Sequence, residues 1–312
     1  MMKKRLLSWL VLAALLLSMA SCGKAPSDPA KLQILCTGFA QYDWVCQILG
    51  EHKNNVELTL LANNSADLHS YQATVADLAS ISDCDLLIYI GGTSDQWVED
   101  ALKNPRNPNR KTLALMEIAD PLEAEHDHEH EEEHALEEHV WLSLKYAERA
   151  VNAITALLAE LDPANAEDYL INAETYCTDL QNLNSEYQQC VDTAKRKVLL
   201  FADRFPFRYL TEDYGLTYYA AFSGCSAESE ASFSTIATLA QTLDTLALPT
   251  VLVIESSDQV LAETVINNTQ NRNQEILIMD SIQAGAQKRV ESGETYLDIM
   301  KNNLTVLQKA LH

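Results

Sequence analysis

Eight short apolar runs punctuate the chain, and most are continuous rather than alternating. They lie at Leu32–Cys36, Val56–Leu61, Asp85–Ile90 and Thr112–Ile118, and again at Val198–Ala202, Leu216–Phe222, Thr250–Glu255 and Glu275–Met279. Continuous runs of this length are the pattern of strands covered on both faces. Helical periodicity separates them over Tyr42–Leu49, Ser70–Ser80, Asp95–Lys103, Ser232–Leu246 and Ser257–Thr269. Strand alternating with helix predicts parallel sheets. Four strands before the middle and four after it predict an α/β protein of two lobes, each a four-stranded, mostly parallel sheet flanked by helices.

Between the lobes the pattern is helical without strands. Ser143–Leu161 reads as one helix with Ser143 as its cap. Asp162-Pro163 stops it and starts the next, since Asp caps and Pro suits a first helical turn. From Pro163 to Ala194 no Gly or Pro intervenes. Apolar residues recur at Tyr169, Ala173, Tyr176, Leu180, Leu183, Tyr187, Val191 and Ala194, in steps of three and four. A helix of that span is about 48 Å long and serves as a rigid strut. The expected division is an N-terminal lobe over 31–161, a linking helix over 162–196 and a C-terminal lobe over 197–312.

Composition adds an address and a charge. Residues 1–21 combine Lys3-Lys4-Arg5, an apolar run over Leu6–Leu17 and small residues before Cys22. This is the form of a secretory signal peptide. The small residues followed by Cys resemble a bacterial lipobox, with Met19 where Leu is preferred. Cys22 is then the lipidated first residue, 22–30 a tether, and the location extracytoplasmic at the cell membrane. The whole chain of 312 residues has 22 Lys and Arg against 45 Asp and Glu, a net charge of −23. That balance disfavours nucleic acid, which needs a basic face, and suits cations. At 47% hydrophobic the chain has enough apolar residues for a substantial core.

Six cysteines follow the signal: Cys36, Cys46, Cys84, Cys177, Cys190 and Cys225. Outside the cytosol an even count permits disulfides, and the sequence does not choose among the pairings. Cys177 and Cys190 do not pair, because 13 positions along one helix separate them by about 20 Å. No zinc-ribbon spacing is present.

In open α/β sheets ligands sit beyond the carboxyl ends of strands. The chemistry placed there is His69 after the second strand, a His-rich loop and His139 after the fourth, Asp203 and Arg204 at the end of the fifth, and Asp280 after the eighth. Imidazoles and carboxylates meeting from two halves suit a divalent cation with nitrogen and oxygen ligands. The loop, residues 123–134, carries His126, His128, His130 and His134 among acidic residues. It cannot build a core and is expected to capture zinc, copper or nickel weakly, with capture fading below about pH 6. Within it, His130-Glu131-Glu132-Glu133-His134 fits the His-Glu-x-x-His pattern of zinc peptidases. That motif needs a helix fixed against a core, and here the neighbours are almost wholly polar. A metallopeptidase is therefore the minor alternative, and no enzyme activity is expected.

Two segments carry a family resemblance. Asp67-Leu68-His69-Ser70-Tyr71-Gln72-Ala73-Thr74 is similar to an Asp-Pro-His segment, and Glu138-His139-Val140-Trp141-Leu142-Ser143 to an Asp-Pro-His-Val-Trp-Leu-Ser element. Ile254-Glu255-Ser256-Ser257 and Met279-Asp280-Ser281-Ile282 match the last two strand ends of the same family. Across essentially the whole mature chain the sequence resembles the solute-binding lipoproteins of bacterial zinc and manganese ABC importers, a cluster grouped with adhesins. The His-rich loop is typical of the zinc members. The resemblance implies two lobes joined by a long helix, with His69, His139 and Asp280 as metal ligands. One element departs: in Asp203-Arg204-Phe205-Pro206-Phe207-Arg208-Tyr209, Arg204 stands at the third-ligand position. Arg does not ligate a cation, because it stays charged. Asp203, Glu228, Glu230 or a loop imidazole are the alternatives, with Asp203 preferred. The function implied is a monomeric receptor that captures zinc, or alternatively manganese or iron, between the lobes. It hands the ion to an ABC permease and its ATPase, with small lobe movements.

Overall fold

The first half builds a sheet from β1 (Leu32–Cys36), β2 (Val56–Leu60), β3 (Leu86–Tyr89) and β4 (Lys111–Ala114), with α1 (Phe39–Leu49), α2 (Val75–Asp83) and α3 (Gln96–Leu102) between the strands. A single helical turn, α4 (Leu115–Ile118), follows β4. The computed structural model describes residues 31–61, 68–122, 137–224 and 231–312. The signal peptide, Cys22, the tether to residue 30, the His-rich loop, Cys225, Glu228 and Glu230 lie outside the described residues. Two helices come next, α5 (Leu144–Leu161) and α6 (Ala166–Asp192). The second half contains β5 (Val198–Phe205), α7 (Arg208–Tyr214), β6 (Thr217–Ser223), α8 (Phe233–Leu246), β7 (Thr250–Val253), α9 (Val260–Asn267), β8 (Glu275–Ile278), α10 (Ala286–Ser292) and α11 (Tyr296–Leu311).

Both sheets are parallel and share one strand order, β2-β1-β3-β4 and β6-β5-β7-β8. The continuous apolar runs have a simple cause. Along each strand, alternate residues enter different cores. Ile34 and Cys36 enter a central core, as do Leu86 and Ile88, whereas Leu35 and Leu87 join an outer cluster with Ile81 and Val98. In the second sheet Leu199, Phe201 and Leu252 face the central core, and Leu200, Val251 and Val253 face an outer cluster with Leu239 and Val265. The inner strands β1, β3, β5 and β7 are covered on both faces, so polar alternation is absent there, whereas the edge strands β6 and β8 keep exposed positions such as Tyr219 and Ile278. The central core runs from Ile34 to Leu311 and includes residues of both sheets and of α6.

Helix α6 is 27 residues long, about 40 Å, shorter than the expected 32 because Asp162 takes another task. Its Oδ2 accepts from Asn165 Nδ2 and from Tyr169 Oη, both at 2.7 Å, and the helix begins only at Ala166. The buried stripe contains Tyr169, Ala173, Tyr176, Leu180, Leu183, Tyr187 and Val191, as the spacing predicts. Asn172 Nδ2 donates to Ile48 O of α1 at 3.0 Å, and Tyr187 Oη donates to Met300 O of α11 at 2.6 Å. One rigid element thereby grips both halves.

Several boundaries differ from the pattern. The run Thr112–Ile118 is strand only to Ala114; its last four residues turn helical, the usual ambiguity of a short apolar run. Helix α2 starts at Val75 rather than Ser70, because Thr74 and Asp77 form a capping box there. Asp203 and Arg204 lie within β5, beside a register shift between Phe201 and Arg204, rather than at its end. Helices α7, α10 and α11 lie outside the helical stretches that the pattern predicts, although Thr295 and Asp298 cap α11 in the same way. The five described cysteines, Cys36, Cys46, Cys84, Cys177 and Cys190, are all free thiols.

Candidate metal centre

His69 stands on a tight 3-10 turn, Leu68–Ser70, beyond the carboxyl end of β2. Leu68 is buried, and its N–H donates to Gln283 O at 3.1 Å, which ties this turn to the loop after β8. His69 Nδ1 meets Ser94 Oγ and lies 3.3 Å from Glu138 Oε1. Ser94 belongs to a second turn, Thr93–Asp95, after β3. Its hydroxyl donates to Glu138 Oε1 at 2.6 Å, and its N–H donates to Glu138 Oε2 at 3.0 Å. The hydroxyl proton being used, Ser94 Oγ accepts from His69 Nδ1–H. Asp95 clamps this turn to the sheet, accepting from Ile90 N–H at 2.6 Å and Thr37 Oγ1 at 3.1 Å. Burial pushes its carboxyl up to about 6. Gly92 is required by close approach: a Cβ there would lie 2.7 Å from Glu138 Cβ and collide with the carboxylate.

His139 is fully buried and precedes the turn Val140–Leu142. Its Nδ1 contacts Glu137 Oε1, which also accepts the His139 backbone N–H at 3.1 Å. Tyr209 Oη donates to Glu137 O at 3.1 Å and fixes this segment to the second half. The Trp141 ring packs edge-on to His139, centroids 5.2 Å apart, and its Nε1–H donates to Ser281 O at 3.0 Å. Gly224, at the end of β6, lies so near that an added Cβ would be 3.2 Å from His139 Cε1. Burial works to raise the Glu138 carboxyl, yet hydrogen bonds from His69 and Ser94 and the nearby His139 ring bring it down to about 2. Glu137 is likewise held below the usual range by His139 and Arg208, against the opposing pull of burial. Both glutamates are therefore acceptors, and both rings present Nδ1–H to an oxygen.

The consequence appears on the other side of each ring. His69 Nε2 and His139 Nε2 lie 3.1 Å apart, with ring centroids 5.2 Å apart and planes at 69°. With Nδ1–H given to these oxygens, an unprotonated Nε2 on each ring offers a lone pair to the same region. Two imidazole nitrogens on a tetrahedral zinc, each about 2.0–2.1 Å from it, are about 3.3 Å apart. The pair stands within a few tenths of an ångström of that spacing. Carboxylate–imidazole–metal order of this kind fixes ring orientation and raises ligand basicity.

Asp280 lies in the loop after β8, a loop tied to both turns, since Gln283 O accepts from Leu68 N–H and Ser281 O from Trp141 Nε1–H. Its carboxylate is engaged by Arg289, whose Nη2 lies 3.0 Å from Oδ1 and 2.9 Å from Oδ2. Burial and the neighbouring Glu255 push this carboxyl up to about 6 despite Arg289. Glu255 organises the loop, accepting from Ser281 N–H at 2.8 Å and from the Gln283 and Ala284 N–H groups at 3.1 Å. Asp203 serves its own sheet: Oδ1 accepts from Arg204 N–H at 2.8 Å and Oδ2 from Ile254 N–H at 3.3 Å. Among the described residues, no group of three or more His, Cys, Asp or Glu side chains is gathered as a metal cage. The expected set of His69, His139, Asp203 and Asp280 is thus represented by a converged imidazole pair, an Asp280 engaged by arginine and an Asp203 bonded within its sheet. Glu137, Glu138 and Ser94 were not anticipated as parts of the site. The two acids beside His139 were a visible signal, whereas Ser94 offered none before folding. A groove of about 720 Å³ between α2 and α3, lined by Tyr71, Val75, Leu78 and Trp97, holds no imidazole, and an ion needs no cavity of that size.

The profile of the family described as "Zinc-uptake complex component A periplasmic" (ZnuA) matches residues 34–310. The chain belongs to the ZnuA family. It is 29% identical over 314 residues to the high-affinity zinc uptake system protein ZnuA of Bacillus subtilis (strain 168), covering 96% of each chain. It is 27% identical over 315 residues to the zinc-binding lipoprotein AdcA of Streptococcus pneumoniae, covering 99% of this chain but only 61% of that protein. The crystal structure of the Zn(II)-bound ZnuA-like domain of that AdcA superposes with a TM-score of 0.73 at 25% identity, covering 90% of this chain and 99% of the domain. The ZnuA family comprises metal-uptake receptors rather than enzymes, which removes the peptidase reading of His130–His134.

Proposed function

We propose that this protein is an extracytoplasmic zinc receptor, anchored through lipid on Cys22, that delivers its ion to an ABC permease. The observation that carries the reading is the facing Nε2 pair of His69 and His139, the second ring oriented by Glu137 and the first by Ser94 with Glu138 behind it. Imidazole nitrogen favours zinc over manganese. Asp280 is the proposed oxygen donor from the second half. Asp203 is left with its structural part in β5.

Elemental analysis of the soluble protein, with and without residues 123–134, tests this reading. One zinc per chain is expected to survive removal of the loop; loss of all tight zinc with the loop would remove the His69–His139 site. Glu137→Ala and Glu138→Ala test the orienting carboxylates. Each is expected to weaken zinc binding by about 10–100-fold, because the ring loses its Nδ1 acceptor or the network that supports it. Chelator-competition titration measures this, and unchanged affinity in both would mean that the carboxylates do not orient the ligands.

A further inference from the structure

Asp280 is held more firmly than a waiting ligand needs. Its backbone is fixed on both sides by Asn303, with Asp280 N–H donating to Asn303 Oδ1 and Asn303 Nδ2 donating to Asp280 O, both at 2.8 Å. Oδ1 accepts from Ile282 N–H at 2.8 Å as well as from Arg289. Four lone-pair positions are available on a carboxylate, and three N–H contacts leave Oδ2 only one.

Arg289 is equally constrained. Its side chain is 9% exposed. Its Nε donates to Ala284 O at 3.0 Å, and its Nη1 donates to Glu294 Oε2 at 2.9 Å. Its guanidinium carbon sits 5.8 Å from the centre of the Phe39 ring, at the start of α1 in the first half. Helix α10, which carries Arg289, is bounded by Gly285 and Gly293, both with positive φ, so the helix is short and its exit is set. A planar fork with fixed donors is better placed than a flexible ammonium to occupy a carboxylate in this way.

A divalent ion on Asp280 and a guanidinium on the same carboxylate repel at short range in a site largely shielded from water. We propose that Arg289 is a resident counter-cation that occupies Asp280 when no metal is bound and competes with the incoming ion for it. The competition lowers affinity and speeds release, so that the ion passes on to the next binder. Arg289 is a positioning residue, since it touches the ligand and not the metal. This inference rests on the proposed zinc site and adds to it the residue that sets reversibility.

Zinc affinity by chelator competition and zinc release by stopped-flow chelator capture test it on the wild type, Arg289→Gln, Arg289→Lys, Asp280→Asn and His139→Ala. Arg289→Gln is expected to bind zinc at least about tenfold more tightly and to release it more slowly by a similar factor. Arg289→Lys, which keeps the charge, is expected to return the release rate most of the way to wild type. A purely structural role predicts the opposite sign, with Arg289→Gln weaker and Arg289→Lys no rescue; that result, or unchanged release in Arg289→Gln, overturns the proposal. Unchanged affinity in Asp280→Asn also overturns it, because Arg289 would then have no ligand to compete for. Full zinc binding by His139→Ala would instead show that the underlying site is misread, and the two failures are told apart in the same titration. Thermal melts in excess chelator report whether each variant is folded. If Arg289→Gln does not fold, release by Arg289→Lys decides: a rate near wild type, with Asp280→Asn impaired, supports the proposal, and release slowed as if the charge were absent overturns it.

Discussion

Alanine at His139 is expected to abolish tight zinc capture, weakening it by more than the roughly 100-fold that marks loss of an outer-shell partner. The ring is fully buried, its Nδ1 contacts Glu137, and its Nε2 faces His69 Nε2 at 3.1 Å. Removing it deletes one of two nitrogen donors and leaves Glu137 as a buried carboxylate without its principal partner. His69→Ala should show a comparable loss with less harm to the fold, because His69 is partly exposed and its neighbour Ser94 keeps its bonds to Glu138. The double variant should lose less than the sum of the two, since both rings serve one ion. Competition against a zinc chelator measures all three. Wild-type affinity in either single variant would end the proposal that these nitrogens share a cation.

The largest loss of stability is expected from Trp141→Ala, about 3–5 kcal/mol, with weaker zinc binding as a consequence. Trp141 is 2% exposed and touches three parts of the molecule. Its ring packs on His139, its Nε1 binds Ser281 O beside Asp280, and its carbonyl accepts from Tyr296 Oη at 2.7 Å. Truncation opens a cavity and leaves the Ser281 carbonyl without this donor. Trp141→Phe separates the two effects: it keeps most of the volume and should cost only about 1–3 kcal/mol for the lost hydrogen bond. Urea denaturation in excess chelator gives the stability difference and keeps metal binding out of it. Equal stability of Trp141→Ala and wild type would show that this residue does not join the two halves.

The resemblance and the strand-end rule together led to His69, His139 and Asp280, but they did so unequally. The two histidines were legible because each follows a strand end and stands in a motif. The motif at His139 also marked its burial, since Val140, Trp141 and Leu142 are all apolar and all buried. Asp280 was legible as a position and not as a state: nine residues downstream, nothing in the helix pattern singled out Arg289 as its partner. Asp203 was preferred from Arg204 at the family's third-ligand position. The strand bulge at Phe201–Arg204 instead uses its oxygens to accept backbone N–H groups.

What the amino-acid order determined by itself is what depends on neighbours along the chain. The doubled parallel architecture, the buried stripe of α6 and the Ser143 cap follow from local periodicity and local hydrogen bonding. Which side chain faces which across long separations is set by packing in three dimensions. The approach of His69 to His139 spans 70 positions, the bond from Trp141 to Ser281 spans 140 and that from Asp43 to the Tyr296 N–H spans 253. Tautomers, the arginine on Asp280 and the distance between two ring nitrogens arise only once the two sheets close on their common core. No local pattern encodes them, because each is fixed by groups that the unfolded chain keeps far apart.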